Sequence, residues 1–189
     1  MRIKTHSLDK KGFTLIELIV VFTVIAILST IGTVSFVSYS RTQSLNQATN
    51  DLVQALTTAK SLSASQLKSL SKNGKIWKCQ DYQTLNGYGI QIDMGTTGNY
   101  RLYIECMASG EPREYPDSGI NDWQTSLPSD VNFDQSTNIA DVFFPVLSGG
   151  IITTPTPGSA TADKIVLKSN YNISPKTINI INGYISIAP

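Results

Sequence analysis

Residues 12–28, GFTLIELIVVFTVIAIL, constrain this chain more than any other stretch. From Leu18 to Leu28 only Thr23 is polar, and a softer apolar run continues through STIGTVSFVSY to Tyr39. The 27 residues Phe13–Tyr39 make a helix of about 40 Å. A hydrocarbon core of about 30 Å is thinner than that. Ahead of the run, residues 1–11 carry Arg2, Lys4, Lys10 and Lys11 against one acid, Asp9. Basic residues before an apolar span favour an orientation with the N-terminus inside. A cleaved secretory signal matches the basic start, but the apolar part is long and no A-x-A-like site follows it. A plain anchor leaves Glu17 without a role, although an acid at the start of such a run costs a few kcal/mol in lipid. A buried core helix leaves the basic leader unexplained.

The residues Lys10-Lys11-Gly12-Phe13-Thr14-Leu15-Ile16-Glu17 resemble the prepilin cleavage motif of the type IV pilin and type II secretion pseudopilin family. The resemblance implies that a prepilin peptidase cuts between Gly12 and Phe13 and that Phe13 becomes an N-methylated first residue. It places Glu17 where the family has its assembly glutamate. The implied partners are the peptidase, other pilin or pseudopilin subunits met through the N-terminal helix, and the cytoplasmic (inner) membrane. The implied location is a single pass with the N-terminus inside. Assembly into a pilus or pseudopilus follows, with the C-terminal domain in the periplasm or outside the cell. The chemistry of the motif agrees. Gly12 has no side chain to hold a protease off the backbone. A carboxylate inside an apolar bundle needs a partner, and the positive N-terminus of a neighbouring subunit supplies one. Major pilins usually carry a proline within the apolar segment. Here no proline occurs between Met1 and Glu111, and Gly32 is the one breaker in the span. Local loosening at Gly32 is the expectation, and the reading leans to a minor pilin or pseudopilin.

After Tyr39 the pattern turns amphipathic. Leu45, Ala48, Leu52, Val53, Leu56, Ala59 and Leu62 recur mostly at steps of three and four, with polar residues between them. The helix is expected to continue to about Gln66–Lys72, with Leu67, Leu70, Asn73 and Gly74 as its fraying end and stop. The expected organisation is a leader over 1–12, a transmembrane and assembly helix over 13–39, its amphipathic continuation over 40–74, and a β-rich domain over 75–189. Residues 88–93 and 100–105 alternate around a turn-like GTTGN and read as a hairpin. Residues 142–147 and 151–153 read as a second pair. Residues 164–168 read as a strand, and 177–181 with 184–187 as a closing hairpin around Asn182-Gly183. Thr153–Ala162 reads as a flexible surface loop. The fold class expected is α+β: a long N-terminal helix packed on an antiparallel β domain of five to eight strands. Among family members this order is similar to the GspH/FimT-like minor subunits.

Chemistry in the body of the chain is sparse. Cleavage after Gly12 removes four basic residues, one acid and His6, the chain's one histidine, leaving 11 basic and 13 acidic residues and a net charge of −2. Histidine-based acid–base catalysis is then excluded, and no phosphate-binding glycine motif appears. No enzymatic role, cofactor or metal is expected. Cys79 and Cys106, the two cysteines, are too few for a zinc site without histidine and suit a disulfide outside the cytosol. Asp117, Asp122, Asp130, Asp134 and Asp141 lack EF-hand spacing and read as a solvated region. Trp77 and Trp123 read as core residues. Lys164, Lys168 and Lys176 make only a thin basic patch near a C-terminus free of Lys and Arg after Lys176, which argues against DNA as a partner.

Overall fold

The structure, a computed structural model, describes residues 12–72, 75–79, 81, 83–95, 98–108, 124–181 and 183–188. At 30–35, 70–72, 75–78 and 108 it describes the backbone alone. The architecture is α+β: one long helix, then antiparallel sheets. Chain contacts divide it into two units, Met1–Ser40 and Arg41–Pro189.

Helix α1 runs over Leu15–Ser65. It begins at Thr14, whose Oγ1 accepts the Glu17 N–H at 3.3 Å. The Thr14 carbonyl accepts the Leu18 N–H at 3.2 Å. Gly32 does not interrupt the helix, because one glycine costs only about 1 kcal/mol relative to alanine. The helix stops at Gln66, which takes φ +53° and donates its N–H to the Ser63 carbonyl at 3.2 Å. A left-handed residue after the last turn ends a helix by turning the chain away from its axis.

The helix was expected to reach Gln66–Lys72. Instead Ser69–Lys72 (β1) pairs antiparallel with Lys75–Lys78 (β2), with Lys72 opposite Lys75. Asn73 and Gly74, read as a helix stop, lie outside the described residues.

In the second unit, Leu45, Ala48, Leu52, Leu56 and Ala59 of α1 are buried. They join one core with residues of both larger sheets, among them Tyr88, Ile104, Phe144, Ile165, Leu167 and Ile178. One sheet has the order β5-β4-β3-β7-β8. Its strands are β3 Gln83–Asp93, β4 Asn99–Ala108, β5 Gln124–Ser126, β7 Ile139–Pro145 and β8 Ile152–Pro155. The other has the order β11-β10-β9-β6, built from β6 Val131–Phe133, β9 Lys164–Ser169, β10 Lys176–Ile181 and β11 Tyr184–Ile187.

The expected pairs form: β3 with β4, Phe143 of β7 opposite Ile152 of β8, and Ile181 of β10 opposite Tyr184 of β11. The last pair closes a turn in which Gly183 takes φ +82°.

Two expectations change. Eleven strands stand among the described residues where five to eight were expected. The additions β1, β2, β5 and β6 are only three or four residues long, too short for alternation to register. The loop read over Thr153–Ala162 is partly structured as well. Its first residues belong to β8, and Thr153 Oγ1 donates to the Ala162 carbonyl at 2.8 Å.

Strand β3 carries two glycines on the face opposite its core residues Tyr88, Ile90 and Ile92. The Tyr103 ring covers Gly89, and the Phe143 ring covers Gly87. These rings lie 6.4 Å apart and nearly parallel, at 11°. The Tyr103 hydroxyl donates to Asp141 Oδ2 at 2.8 Å. Missing Cβ atoms let the rings lie flat on the sheet, filling space that glycine otherwise leaves open in a strand.

Candidate processing and assembly site

Gly12, Phe13 and Thr14 precede the helix and are exposed. Phe13 shows 82% of its surface. The Gly12–Phe13 peptide therefore lies outside the helical hydrogen-bond ladder, one residue before the cap. A protease needs extended, accessible backbone, and helical backbone would first have to unwind. Thr14 fixes this boundary. Its side-chain oxygen satisfies one of the orphan N–H groups at the helix start. The sequence reading did not assign Thr14 a role. Its signal was present: Thr14-Leu15-Ile16-Glu17 is the T-x-x-E pattern of a helix N-terminus.

Glu17 sits in the first turn of α1, where a carboxylate is favoured by the partial positive charge of the helix start. It is exposed, and so are its apolar neighbours. Leu15, Ile16, Leu18, Ile19, Val20, Val21, Phe22, Val24, Ile25, Ile27 and Leu28 each leave roughly half or more of their surface open. A helix apolar all round is stable only when lipid or other helices surround it. Among the described residues no helix is long and apolar enough to cross a membrane. The expected span, 13–39, passes through 30–35, whose side chains lie outside the described residues.

The structure places the other candidates as follows. Cys79 and Cys106 are joined in a disulfide with Cα atoms 5.6 Å apart, and both are buried. Cys106 lies on β4, and Cys79 follows β2, with its N–H donating to the Lys68 carbonyl at 3.0 Å. The Tyr88 hydroxyl reaches the same segment, donating to the Leu67 carbonyl. Burial pushes that phenol up to about 12.

The aspartates expected as a solvated group are held in separate places. Asp117 and Asp122 lie outside the described residues. Asp130 Oδ1 accepts from Ser44 Oγ at 2.9 Å, and Asp141 accepts from Tyr103. Asp134 accepts the Ser136 hydroxyl at 2.7 Å and N–H at 2.9 Å, and pairs with Lys168 Nζ at 3.0 Å. The Ser136 hydrogen bonds, with Lys168 behind them, lower the Asp134 carboxyl to about 2. Lys168, part of the thin basic patch, is thus already engaged. Trp123 and the side chain of Trp77 lie outside the described residues.

A cleft of about 310 Å³ opens beside the β3–β4 turn, lined by Gln91, Ile92, Asp93, Asn99, Tyr100, Arg101 and Gln124. Arg101 Nε donates to Gln91 Oε1 at 2.6 Å. Burial raises the Tyr100 phenol, with Asp51 adding to the effect, so it stays protonated and is no general base near neutral pH.

Residues 8–33 match the family model described as "Prokaryotic N-terminal methylation motif". The match covers the Gly12–Phe13 bond, Thr14 and Glu17 and supports a type IV prepilin-like precursor. No curated protein and no solved structure matches the chain.

Proposed function

We propose that this protein is a structural subunit, a minor pilin or pseudopilin, of a type IV pilus or a type II secretion pseudopilus. Prepilin peptidase cuts after Gly12, and Phe13 becomes the N-methylated first residue. Helix α1 first holds the subunit in the cytoplasmic membrane and then packs against the helices of neighbouring subunits. Glu17 pairs with the positive N-terminus of a neighbour and sets the register of that packing.

The observation that carries the reading is the methylation motif over 8–33 coinciding with an exposed, capped helix start. The scissile bond lies just outside the helix, and the acid lies in its first turn. The exposed apolar surface of residues 15–28 supplies the interface that lipid and then sister helices would cover. The absence of proline from the helix favours a minor subunit, and the order of a long helix before short antiparallel strands favours the GspH/FimT-like group.

The test is the intact mass and N-terminal residue of the protein from host membranes, with and without the peptidase. The expected outcome is a chain starting at methylated Phe13 that disappears when the peptidase gene is deleted. A chain still starting at Met1 in the presence of the peptidase overturns the reading. A second measurement addresses assembly: Glu17→Ala should be processed normally yet be missing from sheared filaments.

A further inference from the structure

The outer face of the five-stranded sheet carries a row of polar side chains that the filament role leaves unused. The registers set Gln91 of β3 opposite Arg101 of β4, and Arg101 opposite Gln124 of β5. Residues directly opposite one another share a face of the sheet, so the three stand side by side across three strands. All three are exposed, and all three line the cleft of about 310 Å³ beside the β3–β4 turn. That volume falls at the low end of small-ligand sites.

Arg101 is held ready for a partner. Its Nε donates to Gln91 Oε1 at 2.6 Å. The bond restrains the guanidinium plane and, among the described residues, leaves both Nη atoms to a ligand. The cation is thus held by a neutral amide, and its charge is not cancelled by that contact. A restrained guanidinium takes a carboxylate through two parallel N–H···O bonds. Around it, Gln91 adds amide N–H donors, and Gln124 adds donors and an acceptor. Asp93, whose Oδ1 accepts the Gly95 N–H at 2.9 Å, brings a second carboxylate oxygen to the same cleft. One row further along this face, the half-buried Tyr103 ring covers Gly89. A ring lying on the sheet turns its negative face outward, where it suits the C–H face of a sugar.

We propose that this cleft binds an acidic oligosaccharide, a chain of sugar residues bearing carboxylates. A carboxylate seats on the Arg101 Nη atoms. The Gln91 and Gln124 carboxamides and Asp93 take neighbouring hydroxyls, and the Tyr103 ring receives the next sugar. Adjacent strands lie about 4.8 Å apart, so the row spans about 10 Å, room for two sugar residues of an extended chain. This goes beyond the structural role proposed above, and its failure would leave that role untouched.

The experiment titrates cellotetraose and its C6-oxidised, glucuronic counterpart into the mature full chain by calorimetry. The chain is held in micelles of a neutral detergent without a sugar headgroup. The oxidised tetramer should bind at least about tenfold more tightly, as a charge-assisted pair of hydrogen bonds predicts. Arg101→Gln should abolish the preference. Arg101→Lys should keep only part of it, because an ammonium lacks the planar fork. Should Arg101→Gln fail to fold, Gln91→Ala, which releases the guanidinium, should narrow the preference in its place. Tetraglutamate, with carboxylates but no hydroxyls, should bind no better than cellotetraose. No binding of the oxidised tetramer at millimolar concentration overturns the proposal. So does equal affinity for the two sugars, a preference that survives Arg101→Gln, or tetraglutamate binding as tightly as the oxidised tetramer.

Discussion

At the residue scale, the positions that matter most are small or polar. Thr14 caps the start of the helix, one residue after the Gly12–Phe13 peptide. Removing its hydroxyl in Thr14→Ala should cost about 1 kcal/mol of helix stability and fray the first turn. Amide exchange at Glu17 and Leu18 reads this directly, and unchanged protection there would remove Thr14 from the site. Gly89 and Gly87 are constrained for a different reason. A Cβ at Gly89 would enter the Tyr103 ring, and one at Gly87 would meet the Phe144 carbonyl oxygen. Gly89→Ala should destabilise the domain by about 1–3 kcal/mol, and Gly87→Ala by more, since backbone cannot rotate away as a ring can. Thermal melts of the two variants measure the difference. Asp134 carries a pH signature. Its folded pKa of about 2 lies below the ordinary value of 3.8, so its contribution is fully present above about pH 4. That contribution is lost as pH falls through the folded pKa. Asp134→Ala should therefore lower stability at pH 7 by up to about 1 kcal/mol, the ceiling for a solvent-screened pair. Between pH 4 and 2 the gap to the wild type should close. A gap that is constant across that range would mean the carboxylate charge contributes nothing.

At the scale of elements, the disulfide and the first hairpin belong together. Cys79–Cys106 spans 27 positions and fastens the end of β2 to β4. The chain-entropy estimate for a loop of this size is about 3–4 kcal/mol. Reduction, or Cys79→Ser with Cys106→Ser, should lower the melting temperature of the second unit. Loss of protection should appear first around 67–79, because the Tyr88 hydroxyl, on the Leu67 and Ser69 carbonyls, is then what ties that segment to the sheet among the described residues. Amide exchange with and without reductant checks the order of loss. Strand pairing by the longer elements was legible in advance. β3, β4, β7, β9 and β10 are six or more residues long, enough for alternation to stand out. β5 and β6, three residues each, carry no periodic signal and form because a longer neighbour offers them an edge. The β1–β2 hairpin was missed for another reason. Its segment was read as the fraying end of the helix, and strands of four residues carry too little alternation to overturn that reading.

At the scale of the whole molecule, the two units obey different solvents. The second unit has a continuous core contributed by α1 and both larger sheets. A fragment covering 41–189 should fold, melt cooperatively and stay monomeric in water. Light scattering and calorimetry on that fragment test the claim, and aggregation at micromolar concentration would contradict it. In the first unit every described side chain, over 12–29 and 36–40, is exposed, the apolar ones included. The mature full chain should need detergent or partner helices to remain dispersed.

The sequence by itself determined the N-terminal methylation motif over 8–33, because such a motif is defined by residue types along one continuous segment. It also determined the long helix and the class of the domain behind it, since periodicities of 3.6 and 2 are local properties of the chain. Only the tertiary structure decided where the helix ends and that Ser69–Lys72 and Lys75–Lys78 pair as strands. Those outcomes depend on contacts between residues far apart in sequence, and on a single left-handed residue, Gln66, whose conformation no propensity foretells. The flat aromatic pair over β3 is of the same kind. Two glycines in a strand predict weakness until the rings of Tyr103 and Phe143 arrive from other strands to fill the space they leave.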